Sequence, residues 1–145
     1  MRPKLLLRIA AVLMFIHGVL HTFGFSGWKN EPNPVEHQVI SQMTGHQFPF
    51  MGATHSLADY YDGFGYASSI ALFLIAVLLW IVSGELTSNT GLAKKMIIAL
   101  GIALLFWGVD EVIFFFPFAT AITSLACVCS FWAVYLLNVK KQAAA

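Results

Sequence analysis

Four long apolar runs punctuated by short polar breaks set the pattern of this chain: residues 5–25, 64–84, 96–116 and 118–139. Each is about the 20 residues that an α-helix needs to cross a bilayer. The connection at 85–95 is short and the one at Pro117 is a tight turn, so successive helices run antiparallel, which predicts an up-down-up-down bundle. The one long connection, 26–54, carries Asn33-Pro34-Val35-Glu36, a helix start with Asn as cap, Pro at the first position and Glu at the third. Val35, Val39, Ile40 and Met43 then recur at helical spacing up to Gly45, predicting a short amphipathic helix in this loop. The fold class expected is therefore all-α: a four-helix transmembrane bundle, read as a single integral membrane domain over 1–145.

Composition strengthens this reading. The chain is 59% hydrophobic and 10% charged, against roughly 25% charged residues in soluble domains, and its mean hydropathy is +0.77. The lipid bilayer is its first partner. A net charge of +1 with no basic stripe speaks against nucleic acid. Arg2, Lys4 and Arg8 cluster at the start of the first run, Lys94 and Lys95 lie between the second and third, and Lys140 and Lys141 follow the fourth. Four spans would put all three clusters on one side, so the positive-inside rule predicts both termini in the cytoplasm. The first run is read as a retained span: His17 and His21 interrupt it and no small-residue cleavage pattern follows. Cys127 and Cys129 point to different sides of a helix and neither chelate together nor bridge.

Candidate chemistry comes from the ionisable residues that interrupt the apolar runs. His55, Asp59 and Asp62 fall at i, i+4 and i+7, sharing one face if that stretch is helical. Counting 1.5 Å per residue puts His17 roughly 12 Å and His21 roughly 6 Å below the outer surface, with Asp110 and Glu111 about 8 to 9 Å below it. A charge at such depth costs about 2 to 3 kcal/mol by insertion scales, so it faces the interior and takes a partner. His17 and His21, one turn apart, are expected to pair with Asp110 and with Asp59 or Asp62. Only one of the adjacent acids Asp110 and Glu111 can face a given partner, because they point about 100° apart.

His17, His21, His55, Asp59, Asp62, Asp110 and Glu111 are thus the candidate metal ligands, with His46 available from the loop. Imidazoles and carboxylates on facing helices suit a transition metal, Fe, Zn or Mn, although the Glu-x-x-His signature of di-iron bundles is absent. A b-type haem between His17 or His21 and His55 is a second option. The third needs no metal: a His/carboxylate pocket that moves protons in a small lipophilic ligand such as a quinone. Tyr60, Tyr61, Phe64, Tyr66, Trp107 and Phe114 to Phe116 form either an aromatic belt or the wall of that pocket. The plain alternative is a purely structural network of interior hydrogen bonds. A rival from another class is a non-catalytic accessory subunit of a larger membrane complex, or a homo-oligomer, docking through Thr120, Ser124 and Cys127.

His21-Thr22-Phe23-Gly24 and Asp59-Tyr60-Tyr61-Asp62-Gly63-Phe64-Gly65 resemble runs at the same places in a family of small, uncharacterised bacterial four-helix membrane proteins. That resemblance implies four spans and a bacterial inner-membrane location. It implies no activity.

Overall fold

A computed structural model describes residues 2–143, with α1 at Pro3–Ser26, a 3-10 turn at Trp28–Asn30, and α2 at Pro34–Gly45. Strands β1 (Gln47–Phe50) and β2 (Ala53–Ser56) follow, then α3 (Leu57–Gly84), α4 (Thr90–Phe114) and α5 (Pro117–Ala143). Four of these helices are long and apolar enough to cross a membrane: α1, α3, α4, and α5 over Pro117–Val139. The protein is an all-α, multi-pass membrane protein built as a four-helix bundle. Two compact units emerge, one of Met1–His17 with Leu72–Ala145, the other Gly18–Ala71.

The first unit holds the core. In α4 the buried positions are Ala93, Ile97, Gly101, Leu104, Gly108 and Glu111; steps of three and four residues mark one stripe along the helix. Leu7, Met14, Leu72, Leu79, Ile97 and Leu104 are fully buried and belong to one apolar cluster. Gly101 lets α4 and α5 approach: a Cβ there would stand 3.0 Å from the Phe131 ring, and the Cys127 thiol donates to the Gly101 carbonyl at 3.5 Å. Gly108 likewise opposes Thr123 and Ser124. On the small-residue face of α5, Cys127 is buried against α4, whereas Ser124 is exposed and Thr120 partly exposed. Phe106, Val112 and Ile113 are mostly exposed, the outward faces that a bilayer covers.

The second unit is the long connection and the helix ends that flank it. Asn33 caps α2 as expected, its side chain accepting from the Val35 N–H at 3.0 Å, with Pro34 in the first turn. No α2 residue is buried, and Val35 and Val39 are exposed. The β-hairpin was not foreseen. It pairs Gln47 with Ser56 and Phe50 with Ala53, joined by Met51 and Gly52 at φ 49° and 85°, the left-handed pair that a two-residue hairpin turn requires.

α3 begins seven residues before the expected span because Ser56 and Asp59 cap it reciprocally. The Asp59 carboxylate accepts from the Ser56 N–H at 2.8 Å and from its hydroxyl at 2.9 Å, and Ser56 Oγ accepts from the Asp59 N–H at 3.2 Å, a capping box. At the other end of the unit, Phe25 is buried over Gly65, where a Cβ would lie 2.6 Å from its ring. Tyr66 meets that ring edge-on at 5.0 Å.

Candidate functional site

The apolar stripes of α1 and α4 run onto polar residues, and that of α5 carries one at the same level. In α1 the buried sequence Leu7, Ala10, Met14 continues to His17; in α4 the stripe ends at Glu111; in α5 Thr123 is fully buried ahead of Ala126 and Ser130. Glu111 and Thr123 each lie six residues from Pro117, so the antiparallel turn sets both at one level, about 9 Å along the helices. His17 joins them there.

His17 Nε2 lies 3.4 Å from Glu111 Oε1, with side chains 6% and 3% exposed. On the other side of the ring, Nδ1 is 3.1 Å from Thr123 Oγ1. The Thr123 hydroxyl and the Trp107 indole N–H also approach the Glu111 carboxyl, yet no donor reaches Oε2 in hydrogen-bond geometry; it is the single buried side-chain oxygen or nitrogen without a partner among the described residues.

This geometry supports two protonation states that differ by one proton. In the first, the Thr123 hydroxyl donates to Nδ1, the ring hydrogen sits on Nε2 and points at a carboxylate. In the second, Nδ1–H donates to Thr123, and Nε2 faces a protonated Glu111. In neither state is the imidazole charged, yet removing one member strands the buried polar group of the other. Whichever state holds, a buried oxygen that lacks its hydrogen bond costs about 1 to 3 kcal/mol.

The other candidates are arranged differently. Of the adjacent acids, Glu111 turns inward, whereas Asp110 is exposed on α4; the expected His17–Asp110 pairing is replaced by His17–Glu111. His21 meets the Gly65 carbonyl through Nε2 at 3.3 Å, where an Asp59 or Asp62 partner was expected. Asp62 is held by the Trp28 indole N–H at 2.8 Å and by Lys29 Nζ at 2.5 Å. Asp59 is spent on the α3 cap. His55 lies in β2, opposite Phe48, so 55, 59 and 62 do not share a helix face. Its Nδ1 is 3.9 Å from Asp59 Oδ2, both side chains half exposed.

Among the described residues no three His, Cys, Asp or Glu side chains are grouped to hold a metal ion. Of the aromatic residues, Tyr60, Tyr61, Phe64, Tyr66 and Phe114 to Phe116 are exposed, the disposition of a belt, whereas Trp107 is half-buried and packs against the core.

Sequence reasoning did not single out Thr123 as a partner for His17. The signal was present, since Thr123 interrupts the small apolar stripe of α5 at the level of Glu111. No family model matches the chain, and neither a curated protein nor a solved structure matches it.

Proposed function

We propose that this protein binds the hydrogen-bonding head of a small lipid-soluble molecule at His17, Glu111 and Thr123, and exchanges a proton with it. One observation carries the reading: Glu111 Oε2 is buried with no donor, beside an imidazole that can give or take a proton. A hydroxyl or amide head satisfies that oxygen, and the paired His17 supplies the general base or acid. His21, His55, Asp59 and Asp62 lie outside this assignment. A transition metal or haem has less support, because the carboxylates and imidazoles are engaged in separate contacts.

The location we infer is a bacterial inner membrane, with both termini cytoplasmic. Support comes from Arg2, Lys4, Lys94 and Lys95, which obey the positive-inside rule with the flanking spans.

Mass spectrometry of the lipid-soluble compounds retained by the full chain, purified from its own membranes, tests the function. A compound enriched on the wild type and depleted on Glu111→Gln and His17→Phe is expected. Identical profiles for all three proteins would remove the ligand reading.

A second reading, an accessory subunit, draws on Asp110. It is exposed beside Phe106, Val109, Val112 and Ile113, and an ionisable group on a lipid-facing side calls for a partner. A stable hetero-complex in mild detergent, lost on Asp110→Leu, is its signature.

A further inference from the structure

At the opposite end of the four-helix unit, where α1 and α4 begin and α3 ends, a cavity of about 600 Å³ opens. Its charged lining is Arg2, Lys4 and Lys94, together with the hydroxyl residues Ser83, Thr87 and Thr90. No acid lines it. The nearby Glu85 carboxylate accepts a hydrogen bond from the Ser88 hydroxyl. Three cations around one cavity repel one another unless an anion sits among them.

The helix ends reinforce that sign. α1 and α4 are 24 and 25 residues long and direct their N-terminal, partly positive ends here. α3 brings a C-terminal end, but two of its last-turn carbonyls, Trp80 and Val82, and that of Leu86 just beyond it accept local hydrogen bonds. Ser83 donates to the Trp80 carbonyl at 2.6 Å, the Glu85 N–H to Val82 at 3.1 Å, and Thr90 to Leu86 at 2.8 Å. Those bonds use the Ser83 and Thr90 hydrogens, so the donors left for a ligand are the Arg2 guanidinium, the two ammonium groups and the Thr87 hydroxyl. Lys94 is held in place by the Asn138 side-chain oxygen, to which it donates.

We propose that this cavity binds a phosphate-bearing anion. Planar guanidinium and ammonium donors match phosphate oxygens, and a volume of this order takes a whole head group. The cavity lies where four apolar spans stop, which is the level of phospholipid head groups, and basic pockets between spans are a recurrent site for them. An anionic phospholipid and soluble phosphate share the recognising chemistry; the experiment separates them. The proposal is independent of the His17–Glu111 site.

Native mass spectrometry of the full chain in a neutral detergent, with added phosphatidylglycerol, phosphatidylcholine or inorganic phosphate, is the test. Selective retention of phosphatidylglycerol over phosphatidylcholine is expected. Lys94→Gln and Lys4→Gln should each weaken it about fivefold, the worth of one basic residue at a charged head group. Thr87→Val should weaken it less. Lys95→Gln removes the same charge one residue away, from a side chain that does not line the cavity, and should change retention by under about twofold. Phosphatidylglycerol that resists inorganic phosphate identifies a lipid site; displacement by inorganic phosphate identifies a site for phosphate from either source. Equal retention of both lipids with no phosphate effect, or a Lys95→Gln loss equal to that of Lys94→Gln, overturns the proposal. Thermal melts of the variants confirm that each is folded.

Discussion

Two carboxylates, Glu111 and Asp62, each face a nitrogen base, in opposite surroundings. Glu111 meets His17 inside the first unit, where both side chains are at least nine-tenths buried, and one of its oxygens is left without a donor. Asp62 meets Lys29 in the second unit, at side-chain exposures of 27% and 43%, and both of its oxygens are satisfied, one by Trp28 and one by Lys29. Water can complete or replace anything at Asp62. At Glu111 the missing donor has to be an enclosed one, from the protein, an internal water or a ligand. The lesson is that a carboxyl group facing a nitrogen base is a surface clasp in one place and an unfinished site in the other.

The largest effect follows from breaking the buried pair on one side only. His17→Leu or Glu111→Leu alone should cost about 3 kcal/mol, because the remaining member is left buried without its partner. The double substitution should cost less than either. Unfolding in mixed detergent micelles reads this, and additive losses would mean that the two side chains do not interact.

Within the second unit, packing should outweigh charge. Gly65→Ala drives a Cβ into the ring of Phe25, which is held between His21 and Tyr66. A loss of about 1 to 2 kcal/mol is expected from overpacking, seen as faster amide exchange over residues 20–26 and 63–69. Unchanged exchange would show that Phe25 swings clear. Next comes Ser56→Ala, which removes one half of the α3 capping box and should cost about 1 kcal/mol, fraying residues 57–60 in the same measurement.

The smallest effect belongs to Lys29 and Asp62. The hydrogen bond to Asp62 is the main reason that the Lys29 ammonium stays protonated above its ordinary value of 10.5. A raised folded-state pKa adds stability that is full below the ordinary value and disappears as pH rises through the folded one. Asp62→Asn should therefore remove a stabilisation that is present at neutral pH but small, because the pair is solvent-screened, and should flatten the alkaline limb of a pH–stability profile, the two proteins converging at high pH. A large loss at neutral pH would break the contrast between the two regions.

How much of this was legible in the sequence varies with the strength of the local signal. The spans and the Asn33-Pro34 helix start could be read because apolar length and cap chemistry are local properties. The hairpin was missed: Gln47 to Ser56 is short, contains Pro49 and turns on Met51-Gly52, where Met is an unusual choice for positive φ. Missing it put His55 on a helix. Ser56-Leu-Ala-Asp59 is a readable capping box, and it would have marked the true start of α3 and removed Asp59 from the ligand set. The choice between Asp110 and Glu111 was also available, since the stripe Ala93, Ile97, Gly101, Leu104, Gly108 steps onto 111. Which imidazole it meets was not, because that depends on how helices rotate against each other, a property of packing across the bundle.

The most direct measurement is infrared difference spectroscopy of the full chain in lipid bilayers across a pH titration, following the carboxyl C=O band of Glu111. A band that titrates, vanishes in Glu111→Gln and shifts in both position and midpoint in His17→Phe is the predicted result, because the two side chains share one proton. A Glu111 band that does not respond to His17→Phe, or the absence of any band lost in Glu111→Gln, would contradict a proton-exchanging pair inside the membrane.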